Sequence, residues 1–285
     1  MLGGTLSKML SSEYKVYATG SSEYNNPFFE YKKFDLNSSC YKELITWAAP
    51  DLIVHCGALT NGNYCAVNPS LAFDINGVSV QKFMKATNKE VKIIYISTDA
   101  VFPSSLHLAN ETDCVYPENV YGKSKELGEF FLKTSKDREY TIIRTTIVGL
   151  NINKNKSGFV EWIINSAKNN ENLGLFSDVL FTPISIWGLT KEIEFLIKTN
   201  NINSETIHIG GELCTKYKFG EELLKELNIS RRRLVKSSIL SFKDRAKRST
   251  DQSLDSSFYE KKYMRTLPSL AQTINTIKKH YNEQN

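Results

Sequence analysis

Through the first half of the chain, short apolar runs rich in β-branched residues alternate with stretches whose apolar positions recur at helical spacing. Val16–Thr19 reads as a strand stopped by Gly20, and Asp51–Cys56, following Pro50, reads as a buried strand. Leu71, Ile75, Val78 and Phe83 place a helix over 70–86. Val91–Ile96 is strand again, 118–133 helix, and Tyr140–Arg144 strand. This alternation predicts an α/β fold: a doubly wound parallel sheet with helices on both faces. Beyond Gly149 the texture changes. Asn151–Ser157 is polar and reads as loop. Helices are expected around 159–167, 189–198, 219–227 and 267–281, with a strand at Thr206–Ile209. The predicted division is a sheet domain over 1–150 and, over 151–285, mainly a smaller lobe with some elements returning to the sheet.

Composition narrows the class. A chain of 285 residues with 41% hydrophobic and 24% charged residues is that of an ordered globular protein. No apolar run approaches the ~18 residues of a membrane span. Residues 1–4 lack the basic and long apolar regions of a signal peptide, so the chain reads as soluble and cytoplasmic, without a membrane partner. The five cysteines (Cys40, Cys56, Cys65, Cys114, Cys214) are odd in number, scattered and without C-x-x-C, which argues against a disulfide framework and structural zinc. No metal-ligand set is expected among them and the four His, and any Mg2+ dependence is not written in a readable motif. Net charge is 36 − 31 = +5, with Arg231, Arg232 and Arg233 the sharpest basic run. That run reads first as solvated surface and second as an attraction for an anionic nucleotide diphosphate. Nothing resembles a nucleic-acid-reading module.

The segment Tyr95–Glu129 carries the chemistry. A strand ends in Ser97, Thr98 and Asp99, a polar loop follows, and Tyr121 and Lys125 open a helix. Residues four apart share a helix face, so the phenol and the ammonium point the same way. A free phenol titrates near ~10, and a neighbouring ammonium would lower that value toward working pH. A Thr hydroxyl at the C-terminal end of a parallel strand lies where open α/β sheets bind ligands, and can stabilise charge developing on a carbonyl oxygen. Together these are the parts needed to protonate an alkoxide as a hydride donor reduces a ketone. A Tyr-x-x-x-Lys pair by itself arises about once by chance in so Tyr- and Lys-rich a chain; its place after the Ser-Thr-Asp strand end is what gives it weight.

In that setting, STDAVF, ETD and PENVYGKSKELGE resemble the active-site segment of extended short-chain dehydrogenase/reductases, most closely the dTDP-4-dehydrorhamnose reductase (RmlD-like) family. The resemblance implies a Rossmann-like NAD(P)-binding domain with a small C-terminal substrate-binding lobe. It makes Thr98, Tyr121 and Lys125 catalytic and Asp99 a substrate contact; Ala100 stands where the family has Tyr. PDLIVHCGALT is similar to the family's P-D-x-[IV]-[IV]-N-x-A-A-x-T, which assigns Ala58, Leu59 and Thr60 to the cofactor, as Phe34–Leu36 assigns Asp35 and Leu36. Cys65, Pro69 and Asn76 also keep family positions. Ile147 replaces a substrate-touching Trp, and Arg248 opens R-S-T-D-Q-S-L, with Ser249 replacing Pro; both are assigned to substrate.

The same comparison makes Met1–Leu10 look like the end of a G-x-x-G-x-x-G motif, with Gly3 as its third glycine and a cofactor contact. The preceding strand and first two glycines are expected upstream, through a start assigned too late; a true truncation, or another segment filling the gap, are the alternatives. No acid follows the strand at Gly20, Ser21 and Ser22, which favours NADPH over NADH. The implied activity is that of an NAD(P)-dependent oxidoreductase acting on CH–OH: reduction of the 4-keto group of a nucleotide-linked 6-deoxy sugar, in dTDP-rhamnose, O-antigen and surface-polysaccharide synthesis. The implied partners are a nucleotide-sugar substrate and a second copy in a homodimer. A related epimerase or dehydratase, and a non-catalytic regulatory subunit of the same fold, are the alternatives.

Overall fold

The computed structural model describes residues 1–38, 40–153, 156–241 and 249–284. Its strands are β1 (Tyr17–Gly20), β2 (Glu30–Lys33), β3 (Leu52–His55), β4 (Lys92–Ile96), β5 (Tyr140–Arg144), β6 (Thr146–Val148), β7 (Leu173–Phe176), β8 (Leu180–Phe181), β9 (Pro183–Ser185), β10 (Glu205–His208), β11 (Cys214–Thr215), β12 (Leu234–Ser237) and β13 (Asp251–Gln252). Its α-helices are α1 (Leu2–Leu10), α2 (Tyr41–Ala48), α3 (Gly62–Val67), α4 (Pro69–Phe73), α5 (Ser79–Ala86), α6 (Val120–Lys133), α7 (Phe159–Lys168), α8 (Ile186–Lys198), α9 (Lys216–Glu226), α10 (Ser257–Tyr263) and α11 (Leu270–Gln284).

β10, β5, β4 and β3 pair in that order, all parallel. Alternate residues of β4 serve opposite faces, as the period of a strand requires. Ile94 and Ile96 join the larger core with α1, α8 and α11, whereas Ile93 and Tyr95 pack with Val80 and Leu132 on the other side. Burial on both faces explains why these strands read as continuous apolar runs rather than alternating ones. Each fully buried Ile contributes roughly 1.5–3 kcal/mol.

Two departures from the sequence pattern have physical causes. The pattern predicts one parallel sheet, but β1 and β2 form a parallel pair of their own. Among the described residues no strand bridges the edges of β1 and β3. The helix expected over 70–86 is interrupted by a π-helical turn at Asp74–Val78. There the Asn76 side chain turns inward to other backbone, and Gly77 presses on Leu127, where a methyl group would come within 2.8 Å. Single π-turns of this kind recur at functional sites.

The second half supplies β10 to the main sheet and builds small sheets beside it. β8 lies between antiparallel β11 and parallel β13, β7 pairs with β12, and β6 with β9. Phe159, Phe181 and Phe219 meet in the core beneath α7 and α9. Arg231, Arg232 and Arg233 are all exposed. Among the described residues no helix is long and apolar enough to cross a membrane.

Candidate active site

Thr98 follows β4 at its C-terminal end and caps a short 3-10 turn, Asp99–Val101, by accepting the Ala100 amide at 3.2 Å. Its hydroxyl lies 2.8 Å from Asp99 Oδ1, and Thr146, on β6, donates to Asp99 Oδ2 at 2.5 Å. Thr98 and Asp99 are both buried. Burial lifts the Asp99 carboxyl above the ordinary range, and Thr146, the Lys216 charge and Thr98 pull it part of the way back.

Helix α6 begins two residues later than the pattern predicts, because Asn119 caps it by accepting the Gly122 amide at 2.8 Å. Gly122 is obligatory: a methyl group there would stand 2.1 Å from the Ala100 carbonyl oxygen. This close approach brings Tyr121 within the electrostatic reach of the Thr98 hydroxyl. One turn on, Lys125 is buried, and its ammonium lies 3.9 Å from the centre of the Tyr95 ring. Tyr95 donates to the Asn76 carbonyl at 2.7 Å. Burial draws the Lys125 pKa down to about 7 against the raising effects of Glu129 and Cys56.

The expectation that Lys125 lowers the Tyr121 pKa is corrected by this geometry. The phenol is held above its ordinary value, first by burial and then by the Asp99 charge, while the Thr98 hydroxyl opposes. The ammonium that was to lower it sits against the Tyr95 ring.

The residues expected to hold a cofactor gather at the C-terminal end of β3. A methyl group on Gly3 would lie 3.5 Å from Cys56 Cβ, and one on Gly57 would lie 2.7 Å from Leu36. Ala58 and Leu59 are half-buried and Thr60 exposed. Asn76 fixes this loop, accepting the Leu59 amide at 2.7 Å, donating to the Leu59 carbonyl at 3.0 Å and meeting Ser124 Oγ at 2.8 Å. Asp35 is exposed and accepts the Asn37 amide at 2.9 Å. Ile147 is half-buried on β6, beside Thr146 and paired with Ile184. Arg248 lies outside the described residues. Among those described, no three His, Cys, Asp or Glu gather as a metal-ligand set.

Sequence reasoning missed several residues around the site. Glu129 is buried and accepts Ser97 Oγ at 2.6 Å, Arg144 Nε at 3.0 Å, Arg144 Nη2 at 2.7 Å and Lys133 Nζ at 2.9 Å. Burial opposes its charge, but Arg144, Lys133 and Ser97 outweigh that and bring its pKa down to about 2. Its position, four residues beyond Lys125 on the same helix face, is the signal that could have found it. Lys216, at the start of α9, rests 3.5 Å from the Phe181 ring centre and acts electrostatically on Asp99; nothing in the run KYK distinguishes it from surface lysines.

The family described as "RmlD substrate binding domain" matches residues 1–283. The spore coat polysaccharide biosynthesis protein SpsK of Bacillus subtilis is 31% identical over 62% of this chain and 61% of its own length. A dTDP-4-dehydrorhamnose reductase of Aggregatibacter actinomycetemcomitans is 28% identical over 76% of this chain and 72% of its own. In fold, the chain is similar to a dTDP-4-dehydrorhamnose reductase of Bacillus anthracis crystallised with NADP. The TM-score is 0.81 and the identity 23%, over 97% of this chain and 95% of that one. A family match over nearly the whole length, on a parallel α/β frame of the same fold, establishes that the chain belongs to the RmlD substrate-binding domain family.

Proposed function

We propose that the chain reduces the 4-keto group of a nucleotide-linked 6-deoxy sugar with NADPH, as a dTDP-4-dehydrorhamnose reductase does. The observation that carries this reading is the placement of Thr98 at the end of β4 against the start of α6, where Tyr121 and Lys125 stand one turn apart on one helix face. The names of the relatives and the NADP in the Bacillus anthracis enzyme supply the substrate class and the cofactor.

The residues present fit a dinucleotide. Leu36, packed on Gly57, would hold the adenine side together with Asp35. The start of α1 at Gly3 would face the phosphates, and the Asn76-tethered loop Ala58–Thr60 would run along the cofactor toward Lys125. When bound, the reduced nicotinamide supplies the hydride.

The chain supplies the proton and the orientation. A phenol held above its ordinary pKa stays protonated at working pH, so Tyr121 is a ready acid for the C4 oxygen. Thr98 orients the carbonyl, and Lys125 binds the nicotinamide ribose and places positive charge beside the developing alkoxide. Asp99 and Ile147 would face the sugar.

NADPH consumption with a dTDP-4-keto-6-deoxyhexose, followed by product stereochemistry, tests the reading; wild-type protein that consumes none overturns it. Tyr121→Phe should lower turnover by about 10²–10⁴-fold while calorimetric binding of the nucleotide sugar survives. Undiminished turnover would remove Tyr121 from the mechanism.

A further inference from the structure

Lys125 carries its charge in a place that disfavours charge. It is 1% exposed, and burial works against the ammonium. The next carboxylate on its helix face, Glu129, is already committed. Glu129 Oε1 accepts from Ser97 Oγ and Arg144 Nε, and Oε2 from Arg144 Nη2 and Lys133 Nζ. Those bonds fill the roughly four lone-pair sites that a carboxylate offers. What stands against the ammonium is the face of the Tyr95 ring, its centre 3.9 Å away. The negative face of an aromatic ring attracts a cation, and does so more strongly where both are buried, as they are here.

The ring is fixed on several sides. Tyr95 lies on β4, in register with His55 on β3. The His55 ring meets it edge-on, with 5.5 Å between ring centres. Its hydroxyl donates to the Asn76 carbonyl at 2.7 Å and lies 3.3 Å from the Lys125 carbonyl. Gly128 makes room for that hydroxyl, since a methyl group there would stand 2.4 Å from its oxygen. Asn76 sits in the π-helical turn, and its side chain holds Leu59 in the 57–60 loop and Ser124 on α6. One tyrosine therefore meets the ammonium with its face and the support of the cofactor loop with its hydroxyl.

We propose that Tyr95 is the positioning residue of Lys125: its ring face holds the ammonium, and its hydroxyl sets the ring against the same Asn76 that fixes the 57–60 loop. This rests on the reductase reading above, in which Lys125 binds the nicotinamide ribose. Tyr95 is fully buried and acts through Lys125 rather than on the reacting atoms. The ring attracts only the protonated amine, so it keeps Lys125 charged to a higher pH than burial alone allows. Glu129 on α6 and Cys56, just beyond β3, act on the ammonium in the same sense. His55, bonded through Nε2 to Ser79, has its pKa drawn down to about 3 by burial and by Lys125, and stays neutral. Tyr121, one turn before Lys125, is held protonated by burial.

Fluorescence titration with NADPH from about pH 5 to about pH 9 tests this in wild type, Tyr95→Phe and Tyr95→Leu. Wild-type affinity should fall as Lys125 loses its proton, near pH 7. Ionisation of the cofactor's own phosphate is common to all three proteins and drops out of the comparison. Tyr95→Phe keeps the ring, so its midpoint should stay within about 0.3 pH unit of wild type. Tyr95→Leu removes the attraction, so its midpoint should move about one pH unit lower, while its affinity at the acid end returns to within about twofold of wild type. A loss of affinity equal at every pH, with the midpoint unmoved, would make Tyr95 a structural residue only and overturn the inference.

Should Tyr95→Leu not fold, phenylalanines of increasing ring fluorination at this position keep the shape while withdrawing negative charge from the ring face. The midpoint should step downward along that series, and a midpoint indifferent to fluorination overturns the inference. A wild type that binds no NADPH would refute the reductase reading and this inference with it, whereas binding whose midpoint ignores the ring would refute the role of Tyr95 alone.

Discussion

Replacing Glu129 with Gln should cost the fold more than any other single change in the charged interior. Glu129 and Arg144 are each about 1% exposed, and the carboxylate accepts two bonds from the guanidinium as well as one from Ser97. Neutralising it leaves a buried guanidinium opposite an amide that can accept only part of its hydrogen bonding. Loss of one partner from a buried pair costs about 3–5 kcal/mol. The depressed pKa gives a similar figure: the fall from 4.5 to about 2 corresponds to about 3 kcal/mol at neutral pH. Because the folded value lies below the unfolded one, this stability is fully present above the unfolded pKa and is lost as pH falls through about 2. Urea unfolding followed by circular dichroism reads it, with a midpoint about 1 M lower for a slope near 3 kcal/mol/M. The gap between wild type and variant should narrow as pH is lowered from about 5 toward 3. In Glu129→Gln/Arg144→Met, with both charges gone, most of the loss should return. A variant within about 1 kcal/mol of wild type at neutral pH, or a gap indifferent to pH, would refute the reasoning.

Lys125 holds its proton only up to about pH 7, so any step that needs its ammonium should weaken as pH rises through that value. The NADPH affinity measured by fluorescence across that range should fall on the alkaline side, and Lys125→Met should abolish the dependence. Asn76→Ala removes two hydrogen bonds that fix Leu59 in the 57–60 loop and a third, buried one to Ser124 on α6. A loss of about 1–3 kcal/mol in thermal unfolding is expected, together with weaker dinucleotide binding by the same fluorescence titration.

The strands of the main sheet were legible because both of their faces are buried. A run such as Ile93, Ile94, Tyr95, Ile96 has no polar face to blur it. The Thr98–Tyr121 contact was legible through motif spacing, since a strand end and a helix start are joined there by one loop. Interactions between elements distant in sequence were not. Asn76 breaks its helix into a π-turn only because Leu59 and Ser124 lie within reach of its side chain. Arg144 closes an apolar strand and gives no sign that its partner lies on α6. The sign of the Tyr121 pKa shift is not legible because sequence places the ammonium on the right face without showing that the phenol is buried and that the ammonium rests against the Tyr95 ring.

The arrangement of α6 also shows why polar groups are buried here at all. An apolar helix packed on an apolar sheet can slide or roll by a fraction of an ångström with little change in energy. Tyr121, Lys125 and Glu129 occupy successive turns of one face and meet three different fixtures: the Thr98 hydroxyl, the Tyr95 ring, and Ser97 with Arg144. Hydrogen bonds and ion pairs are directional, so the three contacts can be satisfied together at only one rotation and one axial position. Gly122 and Gly128 let the helix come close enough for this, since a methyl group would meet Ala100 at 2.1 Å in the first case and Tyr95 at 2.4 Å in the second. The network continues across the main sheet: Arg144 approaches His208 on β10, whose backbone amide donates to Glu111, while Ala109 pairs with Leu254. Catalysis of the kind proposed needs the phenol placed to within a few tenths of an ångström of the reacting oxygen. The buried charges that weigh on stability are therefore the groups that fix the position of Tyr121 on α6.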